Sequence, residues 1–251
     1  MKNTTTAKRK QKAYALSAAT IRKYYDAMMA YLAFLCTIDP DNIAAFISPG
    51  NNKIGNVLNV SLYPILTCFG CLHADRTCIA WCYALKCLWR LTVLHAWGRN
   101  TWLVQHNRPK YFAAIRKAMA ERLKELYFRW HVAGEIPDRE YFAEMVKIAV
   151  EFPAFYIWTY TKCEDWVNEF IKEHGKLPKN LSVMFSRWGV NGPCNNPYGQ
   201  PEYITVLPGE QPPAGAWHCP GNCDLCKAEY SCDGKCHGCI GGETSWIELH
   251  N

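Results

Sequence analysis

The chain lacks any uninterrupted apolar run long enough to span a bilayer, for which about 20 residues are needed, so no contact with a membrane is expected. Its start, MKNTTTAKRKQKAYALSAAT, is basic and polar without an apolar core segment, so no secretory leader is expected. It has no P-loop, no HExxH and no GxSxG, so the phosphate cradle, the zinc-protease helix and the nucleophile elbow are all missing. Charge is sparse: 20% of residues are charged against 49% hydrophobic, which excludes general disorder and supports a sizeable core. The 251 residues suffice for one large domain or two smaller ones.

Cysteine is abundant, with fourteen in the chain, and it is clustered. Five lie between Cys68 and Cys87 and six between Cys219 and Cys239, while Cys36, Cys163 and Cys194 stand alone. Disulfide frameworks suit small secreted domains with poor cores, and this chain fits neither condition. The expected compartment is a reducing cytoplasm, where clustered cysteines read as metal ligands or redox groups. Of the three lone cysteines, Cys36 is expected in the core. The net charge of +6 comes partly from Lys2, Lys8, Arg9, Lys10 and Lys12. That basic arm can touch nucleic-acid phosphate, or it is a solvated terminus.

Residues 13–36 read as a helix with Ile21, Tyr25, Met28, Tyr31 and Leu32 on one face. NVSLYPIL at 59–66 has strand character and runs into Cys68. Residues 76–96 are apolar and helix-like. Residues 108–127 form the clearest helix, with Phe112, Ile115, Met119, Leu123 and Leu126 at helical spacing. FRWHVAG at 128–134 reads as a strand. The next helix presents Tyr141, Met145, Ile148 and Phe152. FYIWTYT at 155–161 is a strand, followed by a helix at 164–174 with Trp166 and Phe170 inside. LSVMFSR at 181–187 and EYITVL at 202–207 complete the set.

Strands alternating with helices at roughly 25-residue spacing predict βα units and a parallel sheet. The expected fold is α/β: a partial (β/α) barrel or open parallel sheet with a cysteine-rich, metal-stabilised C-terminal extension. The expected parts are a basic arm and helix (1–47), the partial barrel (48–210) with a cluster loop at 68–87, and a tail at 211–251. The tail has no periodicity and little aliphatic bulk, so it needs a staple such as metal.

In the first cysteine group, Cys78 and Cys82 are one helical turn apart and can face one ion or cluster, with Cys68 as third ligand and Cys71 and Cys87 nearby. Three ligands on a [4Fe–4S] cluster leave one iron open. Buried free cysteines in an apolar helix are the alternative. The second group, Cys219, Cys223, Cys226, Cys232, Cys236 and Cys239, has the spacing C-x3-C-x2-C-x5-C-x3-C-x2-C, which suits one or two sites of zinc or iron–sulfur type.

NVSLYPILTC and TCIAWCYALK, followed by RWHVAGE and YIWTYTK, resemble the phage gene product 88 family over about residues 48–250. That resemblance implies carriage on phages or mobile elements and supplies no reaction. The arrangement is also similar to the radical S-adenosylmethionine (SAM) enzymes. They carry three cysteines in the loop after the first strand of a partial barrel and a Gly-Gly-Glu-like motif ending the second. By that resemblance Gly134 and Glu135, in Ala133-Gly134-Glu135, bind the amino group of SAM. Cys223, Cys226, Cys232 and Cys236 match the spacing of the auxiliary-cluster domain called SPASM. The usual C-x3-C-x2-C triplet is absent here, with Leu85 at its third position.

Glu135 otherwise reads as a helix N-terminal charge, and His131 as a core histidine. Lys162, Arg187 and Trp188 end strands on the presumed active side. The expected function is a radical SAM-like iron–sulfur enzyme with one or two [4Fe–4S] clusters and SAM, an unidentified substrate and a reductant protein as partner. The rival is a zinc-stabilised, non-enzymatic module binding nucleic acid or a host protein, or an electron-transfer protein without SAM.

Overall fold

The computed structural model describes residues 15–50, 55–68, 78–124, 126–219, 238 and 241–249. The basic arm, Cys71 and the expected tail ligands Cys223, Cys226, Cys232, Cys236 and Cys239 lie outside the described residues.

Seven parallel strands form one sheet in the order β1-β2-β3-β4-β5-β7-β6. The strands are β1 (Leu58–Asn59), β2 (Tyr127–Arg129), β3 (Tyr156–Thr161), β4 (Leu181–Trp188), β5 (Glu202–Val206), β6 (Trp217–His218) and β7 (Ser245–Glu248). Among the described residues six α-helices accompany them: α1 (Ala18–Leu35), α2 (Tyr83–Cys87), α3 (Leu91–His106), α4 (Arg108–Ala120), α5 (Arg139–Glu151) and α6 (Glu164–His174). The fold is therefore α/β with a parallel sheet, as the alternating pattern implied. No described helix is long and apolar enough to cross a membrane.

The first four strands are neighbours both in sequence and in space, joined by helical crossovers. Right-handed crossovers in that order place successive helices on one face of the sheet. The packing agrees. Leu58, Phe128, Trp130, Ile157, Leu181, Val183 and Phe185 share one core with Tyr111, Phe112, Ile115, Tyr141, Met145, Val167 and Ile171 from the helices. Val57, Trp158 and Met184 form a separate cluster against Tyr127, Val132, Tyr160 and Tyr203. That second set defines the far face.

Helix ends follow local chemistry. Asp138 caps α5 by accepting from the Tyr141 N–H at 2.9 Å, and Arg108 pairs with the same carboxylate. Helix α6 opens on Glu164 and Asp165, closes with Lys172 and His174, and stops at Gly175 with φ +83°.

Four expectations need correction. The strand expected at 128–134 covers only Tyr127–Arg129, and His131 beyond it has φ +50°. Helix α4 ends at Ala120, and Leu123 is 89% exposed instead of facing the core. The regular strand expected at 59–66 is only two residues long. The chain beyond it still bonds to the β2 side, from the Val60 N–H to the Arg129 carbonyl and from the Leu62 N–H to the Ala133 carbonyl. In α6 the fully buried positions are Glu164, Val167, Asn168 and Ile171, while Trp166 and Phe170 are half-buried.

Candidate functional site

Parallel strands covered on both faces usually read as continuous aliphatic runs. Here the helix-covered face is mostly apolar, with Thr159 and Thr161 buried in it, and the far face mixes Val57 and Met184 with polar side chains. On the far face, Arg129 of β2 lies beside Trp158 of β3 and Ser182 of β4. One row on, Tyr160 lies beside Met184, and Ser186 beside Tyr203. The Arg129 guanidinium sits 4.9 Å from the Tyr160 ring centroid, and that ring is 4.5 Å from the Tyr203 ring. Lys162, just past β3, donates from Nζ to Ser186 Oγ at 2.8 Å. Two cations, hydroxyls and tyrosines thus line a face where a structural core would carry valine and leucine.

The cysteine group lies at the carboxyl ends of these strands, where open α/β sheets bind their ligands. Cys78 and Cys82 bracket a single 3-10 turn, Ile79–Trp81, and Cys82 precedes α2. The Tyr83 hydroxyl donates to the Val132 carbonyl just past β2. Tyr83 also lies within electrostatic reach of Arg129, Cys82, Cys87 and Cys68. Cys82 in turn feels Cys78 and Lys162. Burial pushes the Cys82 thiol up to about 11, and Cys78 adds to the shift. A thiol held neutral is a poor nucleophile. A coordinated metal ion reverses that balance by deprotonating its thiol ligands. Among the described residues no three His, Cys, Asp or Glu side chains form a ready-made metal shell. Cys68, Cys78 and Cys82 therefore share a neighbourhood and stop short of closed coordination. Cys219 lies directly after β6 and its N–H donates to the Trp246 carbonyl.

Gly134 and Glu135 join the strand ends. Glu135 is buried; its carboxylate accepts from Thr161 Oγ1 at 2.7 Å and from the Lys162 N–H at 3.0 Å. Its own N–H donates to Thr67 Oγ1 at 3.1 Å, and that hydroxyl donates to the Tyr63 carbonyl. Burial raises the Glu135 carboxyl pKa, while Lys162 and these hydrogen bonds oppose the rise. The residue ties β1, β2 and β3 together below the cysteines. A ligand amine would have to share oxygens already in use.

Gly134 has φ +84°, and an added Cβ would lie 2.8 Å from Leu62 Cβ and 2.9 Å from both the Leu62 carbonyl oxygen and Thr67 Oγ1. Gly134→Ala combines a strained backbone with a clash, so it should destabilise by about 2–4 kcal/mol. Urea unfolding measures this. A loss under about 0.5 kcal/mol, the range of an ordinary surface substitution, would show that the junction yields.

The other candidates resolve into packing. His131 is buried with φ +50°; its Nε2 is 3.1 Å from the Tyr141 hydroxyl, which is 3.1 Å from that of Tyr111. Arg187 pairs with Glu202 at 2.6 Å, so it joins β4 to β5. Cys36, expected in the core, is an exposed C-cap that accepts from Trp102 Nε1 at 3.3 Å. Arg129, Trp158, Tyr160 and Thr67 were not singled out from sequence. Only the register shows that the first three share a face, and nothing marks Thr67 as a brace.

The family model described as Gene product 88 matches residues 42–240, which span the sheet through β6 and both cysteine groups. No curated protein and no solved structure matches the chain.

Proposed function

The chain belongs to the phage gene product 88 family, and from that premise we propose that it is an iron–sulfur protein acting on a small molecule at the carboxyl ends of its parallel sheet. One observation supports the reading most. Cys82, after β1, lies within electrostatic reach of Lys162, and its neighbour Tyr83 within reach of Arg129, the two cations of the far face. The family supplies no reaction, so the reading rests on the site.

Cys68, Cys78 and Cys82 would hold a [4Fe–4S] cluster, which supplies one-electron chemistry when bound. Cys219, Cys223, Cys226, Cys232, Cys236 and Cys239 would hold an auxiliary site. Tyr83 anchors α2 to the β2 end and so fixes where Cys82 and Cys87 stand. Gly134 and Glu135 keep the strand ends in register beneath them. In the radical SAM-like form of this proposal, the SAM amine goes to Gly134 and Glu135, and a reductant protein is the electron donor. The sheet is then a partial barrel around the far face.

An absorption spectrum of protein purified without oxygen tests the reading. Broad visible absorption that bleaches on reduction is expected. A colourless protein would retire the iron–sulfur assignment and bring forward the zinc-stabilised, non-enzymatic alternative.

A further inference from the structure

Trp158 is fully buried on the far face, and its Nε1–H has no hydrogen-bond partner. Trp130 has an orphan Nε1–H too, but its surroundings differ. Trp130 packs edge-on against Phe128 at 4.8 Å and Tyr141 at 6.0 Å, in a nest of aromatic rings. No ring contact to Trp158 occurs among the described residues. Buried donors are satisfied in the great majority of cases, so a lone one points to an acceptor that binds there.

Trp158 packs with Val57 and Met184, and the polar neighbours around that cluster say which acceptor. Arg129 is its register partner on β2. Lys162 follows two positions after Tyr160 on the same face, and the Tyr160 and Tyr203 rings lie 4.5 Å apart, tilted by 44° to each other. On the described part of this face the charged side chains are Arg129 and Lys162, both positive. A donor and two cations beside aromatic rings suit the oxyanion of a small molecule.

We propose that the far face is an oxyanion-binding site in which Trp158 Nε1, Arg129 and Lys162 hold the carboxylate or phosphate of a small-molecule ligand. Arg129 grips the anion, Trp158 fixes its orientation, and Lys162 extends the positive field toward Cys82. Read with the function proposed above, that anion belongs to the substrate, whose remaining atoms lie toward the cysteines. The binding itself does not depend on iron.

The test is titration calorimetry of the full-length protein, purified without oxygen, with benzoate as the carboxylate probe and pyrophosphate as the phosphate probe. Iron is counted in the same samples. One probe should bind saturably at one site per chain, and which one binds tells carboxylate from phosphate. Arg129→Gln should weaken it at least tenfold, the usual scale for a lost charge-assisted bond. Trp158→Phe keeps the ring and removes only the donor, and should weaken it severalfold. Arg116→Gln, whose cation pairs with Glu144 and Glu151 on the helical side, should change nothing. Saturable binding by neither probe, or equal loss in all three variants, would overturn the proposal. Iron-loaded protein without probe binding sinks this inference alone; iron-free protein with binding sinks the cluster alone.

Discussion

Cys82→Ser should cost the protein about four irons and about four sulfides per chain, leaving the tail's complement in place. The expectation follows from where Cys82 sits. It ends the 3-10 turn that starts after Cys78 and begins the helix that Tyr83 pins to β2. Serine keeps the size and the backbone while removing the soft ligand, so the fold should stand. Cys78→Ser should give the same partial loss. Cys36→Ser is the control, because Cys36 is exposed at the end of α1, 3.3 Å from Trp102 Nε1 and remote in sequence from the cysteine loop. If all three variants keep the full metal complement, the cysteines after β1 are packing residues and the assignment fails.

The second large effect is a pH dependence of stability carried by His131. Burial lowers its pKa to about 3, against roughly 6.5 in an unfolded chain. Between those values the unfolded chain binds a proton that the folded protein refuses. Stability therefore rises with pH across the window: the contribution is complete above about 6.5 and is lost progressively as pH falls toward about 3. The full span corresponds to about 5 kcal/mol, and the drop from pH 7 to pH 4.5 to about 2.5 kcal/mol. His131→Asn suits the position, because asparagine tolerates the left-handed backbone that φ +50° requires. The variant loses the Tyr141 bond and should be weaker at pH 7, yet its stability should fall less steeply below pH 6. Urea unfolding at pH 7, 5.5 and 4.5 measures both slopes, and contributions common to the two proteins, such as buried Glu135, cancel in the difference. Parallel curves would mean that His131 is protonated in the fold or more hydrated than its burial implies.

How much of this was legible in the sequence depended on the element. Helix α6 runs Glu164–His174, the bounds read from the sequence, although its inward face is centred on Val167 and Ile171 instead of Trp166 and Phe170. Strands β3, β4 and β5 lie where runs of branched and aromatic residues placed them, whereas β2, expected over 128–134, covers only Tyr127–Arg129. Helix α4 was overextended because no glycine or proline marks its end, so the period carried on to Leu123. The strand expected through His131 stops at Arg129, and His131 turns away at φ +50°, without a residue type that announces it. In FYIWTYT both faces are aromatic or hydroxylated, so alternation could not say which side met the helices. Only the pairing of Trp158 with Arg129 and Ser182 reveals a polar far face. The cysteine spacings were visible at once; that Lys162 lies within reach of Cys82, and Arg129 within reach of Tyr83, required the fold.

Iron, acid-labile sulfide and zinc counted per chain, on protein prepared without oxygen, test the central claim most directly. About eight irons with matching sulfide, and little zinc, is the predicted result for two [4Fe–4S] clusters. One or two zincs without sulfide would contradict it, leaving the cysteines as structural ligands and the far face without an electron source.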